Sequence, residues 1–337
     1  MKRTPSIRPL SCHNVLEFGA DRDGKTDSSG AIQNALAEAM EGPCRSVYLP
    51  DGTYRVDSGL ILDKGGDSDV WNIHVFSDGG ATLLAKAGIT VFTVAGPRFD
   101  RFKTPGPRRV HFRRLHLVRA AGTTPDDDPT QEIGFYLAAP ECRLDDVEVS
   151  EFRGAGVKLR GAYLTSLHRC RLWHNGVSVA DEGDSQASEL VGCRLNFAKE
   201  TGLVWNSKGL TVLGGAIELN AHQEVTVGTE ADAIARFYGV HFEHQKNDGA
   251  QIGPMIVCGQ AGKPGNVQAV FDRCIFMGNE TKRPAIAFYG VNTCEVIATR
   301  FENFDNQELP IQQADPVNKV IIRDPVNIPH KKRRGGK

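Results

Sequence analysis

The sequence has no long apolar segment and no excess of charge of either sign. Its apolar runs fall well short of the roughly 20 residues that a membrane-spanning helix needs. Forty Lys and Arg residues against 41 Asp and Glu residues give a net charge of −1, whereas nucleic-acid-binding domains usually carry a basic surplus. We therefore expect neither a membrane nor a nucleic acid as a partner.

Two further patterns are missing. The basic residues Lys2 and Arg3 are not followed by an apolar stretch, so we expect no classical signal peptide. The eight cysteines lack CxxC pairs and zinc-finger spacings, which favours reduced, buried thiols. The sequence predicts no cofactor and no metal site.

The beginning of the chain has an ordered series of turn and helix signals. Residues 15–18 predict a short strand, and Gly19 and Gly24 suit the turn that follows. A helix is predicted after Asp27 or Ser28. Its apolar face comprises Ala31, Ile32, Ala35, Leu36, Ala39 and Met40. The helix is expected to end at 42–43, and residues 47–54 predict a strand, a turn and a second strand.

This segment resembles a known family. "NVLEFGADRDGKTDSSGAIQNAL", followed by "VYLPDGTY", is similar to the opening of the pectate-lyase-like β-helix superfamily, which includes phage tailspike depolymerases and relatives of polygalacturonases. The resemblance covers residues 14–54 and departs from the family at 28–29, where Ser-Ser replaces an acidic residue and Thr. It implies a right-handed single-stranded parallel β-helix whose short N-terminal α-helix caps the open end of the solenoid.

An internal repeat supports the same fold. Triplets of inward-facing residues recur at intervals of 22 to 25, with two longer intervals of 32 and 34 that place insertions at 123–131 and 246–265. The predicted divisions are an extension (1–13), a strand and capping helix (14–45), the β-helix (46–323) and a basic tail (324–337). The triplets are Phe112/Leu115/Leu117, Leu144/Val147/Val149, Leu167/Cys170/Leu172, Leu190/Cys193/Leu195, Val212/Gly215/Ile217, Phe237/Val240/Phe242, Phe271/Cys274/Phe276 and Val296/Thr299/Phe301.

Three cysteines occupy the middle position of these triplets. Cys170, Cys193 and Cys274 should share one inward column, where Cys serves as a small apolar group. Because neighbouring coils lie about 4.8 Å apart, a disulfide between Cys170 and Cys193 remains an open alternative.

The residues that flank the last triplet position should point outward. Glu218 and Glu243 are then expected side by side, roughly 5 Å apart at the backbone. Like charges that close cost stability, whereas a glycosidase needs such a pair. The predicted surface comprises Arg171, Trp173, Arg194, Asn196, Glu218, His241 and Glu243.

These residues suggest a division of roles. Glu218 and Glu243 are the candidate catalytic carboxylates, with His241 as a proton shuttle. The candidate substrate-binding residues are Arg171, Trp173, Arg194 and Asn196; the Trp could stack on a sugar and an Arg could hold an acidic sugar's carboxylate. In the alternative interpretation the surface is only solvated and Arg194 neutralises Glu218. Asp145 and His168 are interpreted as ordinary surface residues.

The function follows from fold and surface together. We expect an enzyme that cleaves a bacterial surface glycan or an acidic glycan, by hydrolysis or by β-elimination. The polygalacturonase set of Asn-Thr-Asp, Asp-Asp and Gly-His-Gly segments is not found together, and the calcium-binding aspartate cluster of pectate lyases is missing, so the reaction stays open. The alternative is a non-catalytic virion or surface protein that binds glycan or protein. The resemblance implies a homotrimer, located on a phage tail or spike or outside the cell.

Overall fold

The computed structural model describes residues 12–63, 70–95, 107–122, 128–229, 231–244, 253–260, 262, 266–281, 284–291, 293–304, 310–313 and 319–328. All of its described strand pairs are parallel, and strands such as Arg171–Trp173 pair with their equivalents one coil before and one coil after. The chain is therefore a right-handed parallel β-helix, and the predicted fold class is confirmed. Successive coils form three columns of strands, which we call A, B and C.

The strands of each column follow one another at intervals of one coil. Column A contains His13–Asn14, Ser46–Tyr48, Arg143–Asp145, Ser166–His168, Gln186–Val191, Lys208–Leu213, Ala233–Tyr238, Val267–Asp272, Thr293–Ile297 and Val320–Arg323. Column B contains Asp23–Asp27, Gly52–Val56, Glu148–Ser150, Arg171–Trp173, Arg194–Asn196, Ala216–Glu218, His241–Glu243, Ile275–Thr281, Arg300–Phe304 and Val326–Ile328. Column C contains Leu60–Leu62, Thr90–Ala95, Ile133–Ala138, Ala155–Leu159, Val177–Asp181, Thr201–Trp205, Gln223–Val227, Ile256–Cys258, Ile286–Phe288 and Ile311–Gln313. Two long strands, His74–Ala85 and His111–Arg119, run through both A and B, and Val70–Trp71 pairs with Pro107–Arg108.

Left-handed residues bracket the short B strands. Arg169 (φ 53°) and His174 (φ 55°) stand on either side of Arg171–Trp173. Their amides still donate to the next coil, to the carbonyls of Val191 (2.8 Å) and Asn196 (3.2 Å). Each turn therefore keeps its inter-coil hydrogen bonds while the chain changes direction. The bend also explains why two residues, not one, separate the first two members of each apolar triplet.

The interior is a set of aligned apolar files. Leu172, Leu195, Ile217 and Phe242 are in register on consecutive coils, and all are buried. Burying a side chain of this size contributes about 1.5–3 kcal/mol. Because a one-residue slip would expose the whole file, the core fixes the register.

The capping helix, Ser29–Glu41, buries Ile32, Leu36 and Ala39 against the first coils. It therefore covers the open end of the core, as the resemblance implies. Its first free amide, that of Ser29, is capped by the carboxylate of Asp27 at 3.0 Å.

One local prediction is wrong. Val15–Phe18 forms a 3-10 helix and not a strand. The side chain of Asn14 accepts a hydrogen bond from the amide of Leu16 (3.1 Å), and Gly19 closes the turn in the left-handed conformation. These two local contacts override the β-propensity of the apolar residues between them.

All eight cysteines are free thiols, so the alternative Cys170–Cys193 disulfide is absent. Both thiols are buried, and each contacts a backbone carbonyl of the preceding coil, at 3.4 Å and 3.2 Å. Burial raises the pKa of the Cys142 and Cys274 thiols to about 12. Cys142 and Cys274 are therefore unreactive core groups.

The paired strands extend beyond the predicted end at residue 323. Val326–Ile328 still pairs with Arg300–Phe304, because its backbone continues the B ladder. Residues 1–11, the larger part of both insertions and the basic tail from residue 329 lie outside the described residues. Within the described ranges, no helix has the length and hydropathy needed to cross a membrane.

Two glycines offer a test of the coil geometry. A Cβ at Gly176 would lie 2.0 Å from the backbone oxygen of Arg153, whereas a Cβ at Gly30 on the capping helix meets nothing within 4 Å. We expect Gly176→Ala to lower the free energy of unfolding by about 1–3 kcal/mol or more. Gly30→Ala should raise it by roughly 0.5–1 kcal/mol. Urea titration measures both; a Gly176→Ala protein as stable as the parent would contradict the close packing of these coils.

Candidate active site

The seven predicted surface residues lie on the B strands of four consecutive coils. Trp173 is in register with Asn196, Asn196 with Glu218, and Glu218 with Glu243. The buried file of Leu172 and its equivalents lies between their positions, so all seven side chains point outward. We call this surface the B-face patch: Arg171, Trp173, Arg194, Asn196, Glu218, His241 and Glu243. The structure brings the residues together as expected, while their catalytic role stays a prediction.

Glu218, His241 and Glu243 form the centre of the patch. Each offers one side-chain oxygen or nitrogen, and these atoms lie within 4.8 Å of one another. His241 Nε2 is 3.7 Å from a carboxylate oxygen of Glu243, and both side chains are about 30% exposed (31% and 28%). The two carboxylates therefore share one small, half-buried space with an imidazole.

The environment of Glu218 favours its protonated form. Burial raises the pKa of this carboxyl, and the negative charge of Glu243 raises it further. His241 and Arg194 act in the opposite direction without cancelling the rise in the pKa of Glu218. Among the described residues, Arg194 makes no ion pair with Glu218. Neutralisation of Glu218 by an ion pair with Arg194 therefore does not describe the site.

Asn196 lies between the arginines and the carboxylate pair. Its side-chain amide donates to an oxygen of Glu218 across 3.4 Å, which is a long and weak hydrogen bond. This places Asn196 one coil from the pair, where it can orient Glu218 or contact a ligand bound there.

Trp173 and Arg171 form a single stacked unit. The indole N–H donates to Glu148 at 2.8 Å, and the guanidinium of Arg171 lies over the ring, 5.2 Å from its centroid. The ring of His174 also contacts the indole, with centroids 4.7 Å apart. The Trp is thus held rigidly, and one of its faces is covered by Arg171. It offers a sugar less open surface than the sequence alone suggests.

A buried polar network that the sequence did not predict lies beneath the patch. Glu224 is fully buried, receives the side-chain amide of Asn220, and lies 3.2 Å from Nδ1 of buried His244. Burial raises the pKa of Glu224 well above its usual range. Asn220 follows the strand of Glu218 and His244 follows Glu243, so the network joins the ends of both strands.

One signal in the sequence could have identified part of this network. Asn175 and Asn220 each stand two residues after a B strand, and both are buried. Each donates to a carbonyl of the preceding coil, Val149 O for Asn175 and Leu195 O for Asn220, at 3.0 Å and 3.1 Å. A recurrent Asn at one coil position is the pattern expected of such a structural bridge.

A second polar cluster occupies column A. Asp145 accepts hydrogen bonds from His111 and Arg143, each at 2.6 Å. Arg143 also contacts His168, which in turn contacts Glu189 at 3.1 Å. Although burial opposes it, the hydrogen bonds from Arg143 and His111 hold the pKa of Asp145 below its usual range. Asp145 and His168 are thus members of a connected network and not isolated surface residues.

Comparison with known proteins bears on the fold. Residues 12–67, which include the capping helix, match the family model described as rhamnogalacturonase A/epimerase, pectate lyase-like. The chain is a parallel β-helix whose first segment matches a pectate-lyase-like family.

Relatives of this β-helix are similar over limited lengths. The uncharacterized protein YclG of Bacillus subtilis is 28% identical over 157 residues, which are 43% of this chain and 26% of that protein. Alginate lyase 7 of Azotobacter vinelandii is 40% identical over 73 residues, 21% of this chain and 8% of the lyase. The matched segments thus span about a quarter or less of these relatives.

Similarity to solved structures extends over the whole β-helix. The tailspike protein gp49 from Acinetobacter baumannii bacteriophage Fri1, a capsular polysaccharide depolymerase, superimposes with a TM-score of 0.61 at 10% identity. The superposition covers 94% of this chain and 62% of the tailspike. At this identity the similarity concerns the fold alone.

The raised pKa of Glu218 predicts a pH-dependent effect on the stability of this β-helix. The folded state holds that proton to higher pH than the unfolded chain, so ionising Glu218 removes stability as the pH rises above the usual carboxyl range. We expect Glu218→Gln to raise the melting temperature at pH 7 by roughly 1–2 °C. The difference should vanish near pH 4, where both side chains are neutral.

Calorimetry at both pH values measures this effect. Glu200→Gln, at an exposed carboxylate, is the control and should change neither value. A Glu218→Gln protein that melts below the parent at pH 7 would contradict the proposed environment.

Proposed function

We propose that the protein is a glycoside hydrolase that cleaves a bacterial surface polysaccharide or an acidic polysaccharide at the B-face patch. One observation carries this proposal: Glu218 and Glu243 present carboxylate oxygens within 4.8 Å of each other, and burial and charge raise the pKa of Glu218. A pair of carboxyls in unequal environments supplies the acid and the nucleophile that glycoside hydrolysis needs.

The separation of the pair favours a retaining reaction. Retaining glycosidases hold their carboxyls about 5–5.5 Å apart, whereas inverting enzymes leave room for a water between them. In the proposed reaction Glu243 attacks the anomeric carbon while protonated Glu218 gives its proton to the departing glycosidic oxygen. Ionised Glu218 then takes a proton from water as the water displaces Glu243 from the sugar.

The position of His241 favours hydrolysis over elimination. β-Elimination at a uronic acid needs a base close to a cation that neutralises the sugar carboxylate. Ala216 lies between Arg194 and His241 in the ladder, so these two backbones are about 10 Å apart. His241 instead approaches Glu243, where it is placed to orient the nucleophile.

The remaining patch residues supply sugar contacts. Arg194 and the Arg171–Trp173 stack lie two to three coils before Glu243, about 10–14 Å along the solenoid. Alginate lyase 7 and the tailspike depolymerase act on polysaccharides, as their names state, which supports a polymeric substrate. A homotrimer, and a location on a phage tail or spike or outside the cell, belong to the same proposal and rest on the family resemblance.

Amide substitutions test the assignment of the two carboxylates. We expect Glu218→Gln and Glu243→Gln each to lower kcat by at least about a hundredfold, because general-acid catalysis alone contributes that much. KM should change little. The assay is the release of reducing ends from capsular, lipopolysaccharide and uronan substrates, without the ultraviolet absorbance of a new double bond.

Glu189→Gln is the matched control, since Glu189 is a surface carboxylate on column A of a nearby coil. It should retain the parent activity. Products that absorb in the ultraviolet would identify elimination and overturn the proposed reaction. Glycan binding without cleavage by the parent protein would instead support the non-catalytic alternative.

A further inference from the structure

We propose that Glu218, His241 and Glu243 also form a binding site for a divalent transition-metal ion. His241 and Glu243 are outward neighbours on one strand, and Glu218 stands beside Glu243 on the preceding coil. Their three candidate ligand atoms lie within 4.8 Å of one another. Ligands around a zinc ion at about 2.0–2.2 Å lie roughly 3–3.5 Å apart, so small side-chain rotations would close the set.

Two shielded polar atoms point independently to a missing partner. Nε2 of His241 and Oδ1 of Asn196 are inaccessible to solvent and have no hydrogen-bond partner among the described residues. The first lies 3.7 Å from Glu243, and the amide group that carries the second lies 3.4 Å from Glu218. A polar atom that has lost water without gaining a partner costs free energy. One ion within this group would coordinate the imidazole nitrogen directly. The amide oxygen would then lie beside the water molecules bound to the ion.

The donor set selects the class of metal. Imidazole suits zinc, copper, iron and nickel, whereas calcium and magnesium prefer oxygen ligands throughout. Two carboxylates and one imidazole are therefore expected to bind Zn²⁺ in preference to Ca²⁺. The ion would also relieve the repulsion between the two carboxylates. Among the described residues, Arg194 forms no ion pair with Glu218 that could do so.

A bound ion would have a consequence for the proposed reaction, and this step rests on the proposed function. Metal coordination occupies the lone pair with which Glu243 would attack and keeps Glu218 ionised, so Glu218 could not donate a proton. The ion and the glycosidic bond would compete for the same atoms. Zn²⁺ is therefore expected to inhibit cleavage.

Isothermal titration of the full chain with ZnCl₂ tests the site. We expect one saturable site in the parent protein and much weaker binding of CaCl₂. His241→Gln and Glu243→Gln should each weaken Zn²⁺ binding by at least about tenfold to a hundredfold, the loss typical even of residues that only support a metal ligand. His174→Gln is the control, because His174 pairs with Glu151 at 2.9 Å and no third ligand joins this pair among the described residues.

The outcomes separate this inference from the hydrolase proposal. Zn²⁺ binding that His241→Gln weakens by at least about tenfold and His174→Gln spares supports the site, whether or not any glycan is cleaved. No saturable binding, or equal binding by the parent and His241→Gln, overturns it and leaves the hydrolase proposal intact. Thermal unfolding without metal shows whether the variants are folded, and Co²⁺ absorption spectra of the folded variants report the loss of a ligand directly.

Discussion

The in-register stacking of coils is the constraint on which the rest of the structure depends. Parallel hydrogen bonds join each strand to the same strand of the next coil, so equivalent residues form files about 4.8 Å apart. Apolar files such as Leu172, Leu195 and Ile217 build the core. The outward files follow the same register, so a charged side chain on one coil lies beside the equivalent side chain of the next coil.

This fixed register explains the central feature of the site. Glu218 and Glu243 occupy the same position on neighbouring coils, and each of their three-residue strands has only two outward side chains. The carboxylates cannot separate without breaking the ladder. Beneath them, Glu224 bridges Asn220 and His244 at the ends of the two strands, which further restrains their separation. The scaffold thereby maintains a repulsive pair that a flexible loop would relax.

Features that repeat with the coil could be predicted from the sequence. The capping helix, the apolar triplets and the outward position of the seven patch residues all follow from a local motif or a period of about two dozen residues. Contacts that join different columns could not be predicted in this way. Glu224 on column C reaches His244, which follows a strand of column B, through the interior. The 3-10 turn at Val15–Phe18 depends on one side-chain cap at Asn14, which hydrophobic patterning does not detect.

A carboxyl titration followed by carbon-13 NMR tests whether Glu218 and Glu243 stand side by side. In the parent protein we expect Glu218 to titrate above the ordinary glutamate pKa, because it is half-buried and faces a second carboxylate. In Glu243→Gln the pKa of Glu218 should fall but stay above the ordinary value, since burial remains. An ordinary Glu218 pKa that Glu243→Gln leaves unchanged would show that the two carboxylates do not interact.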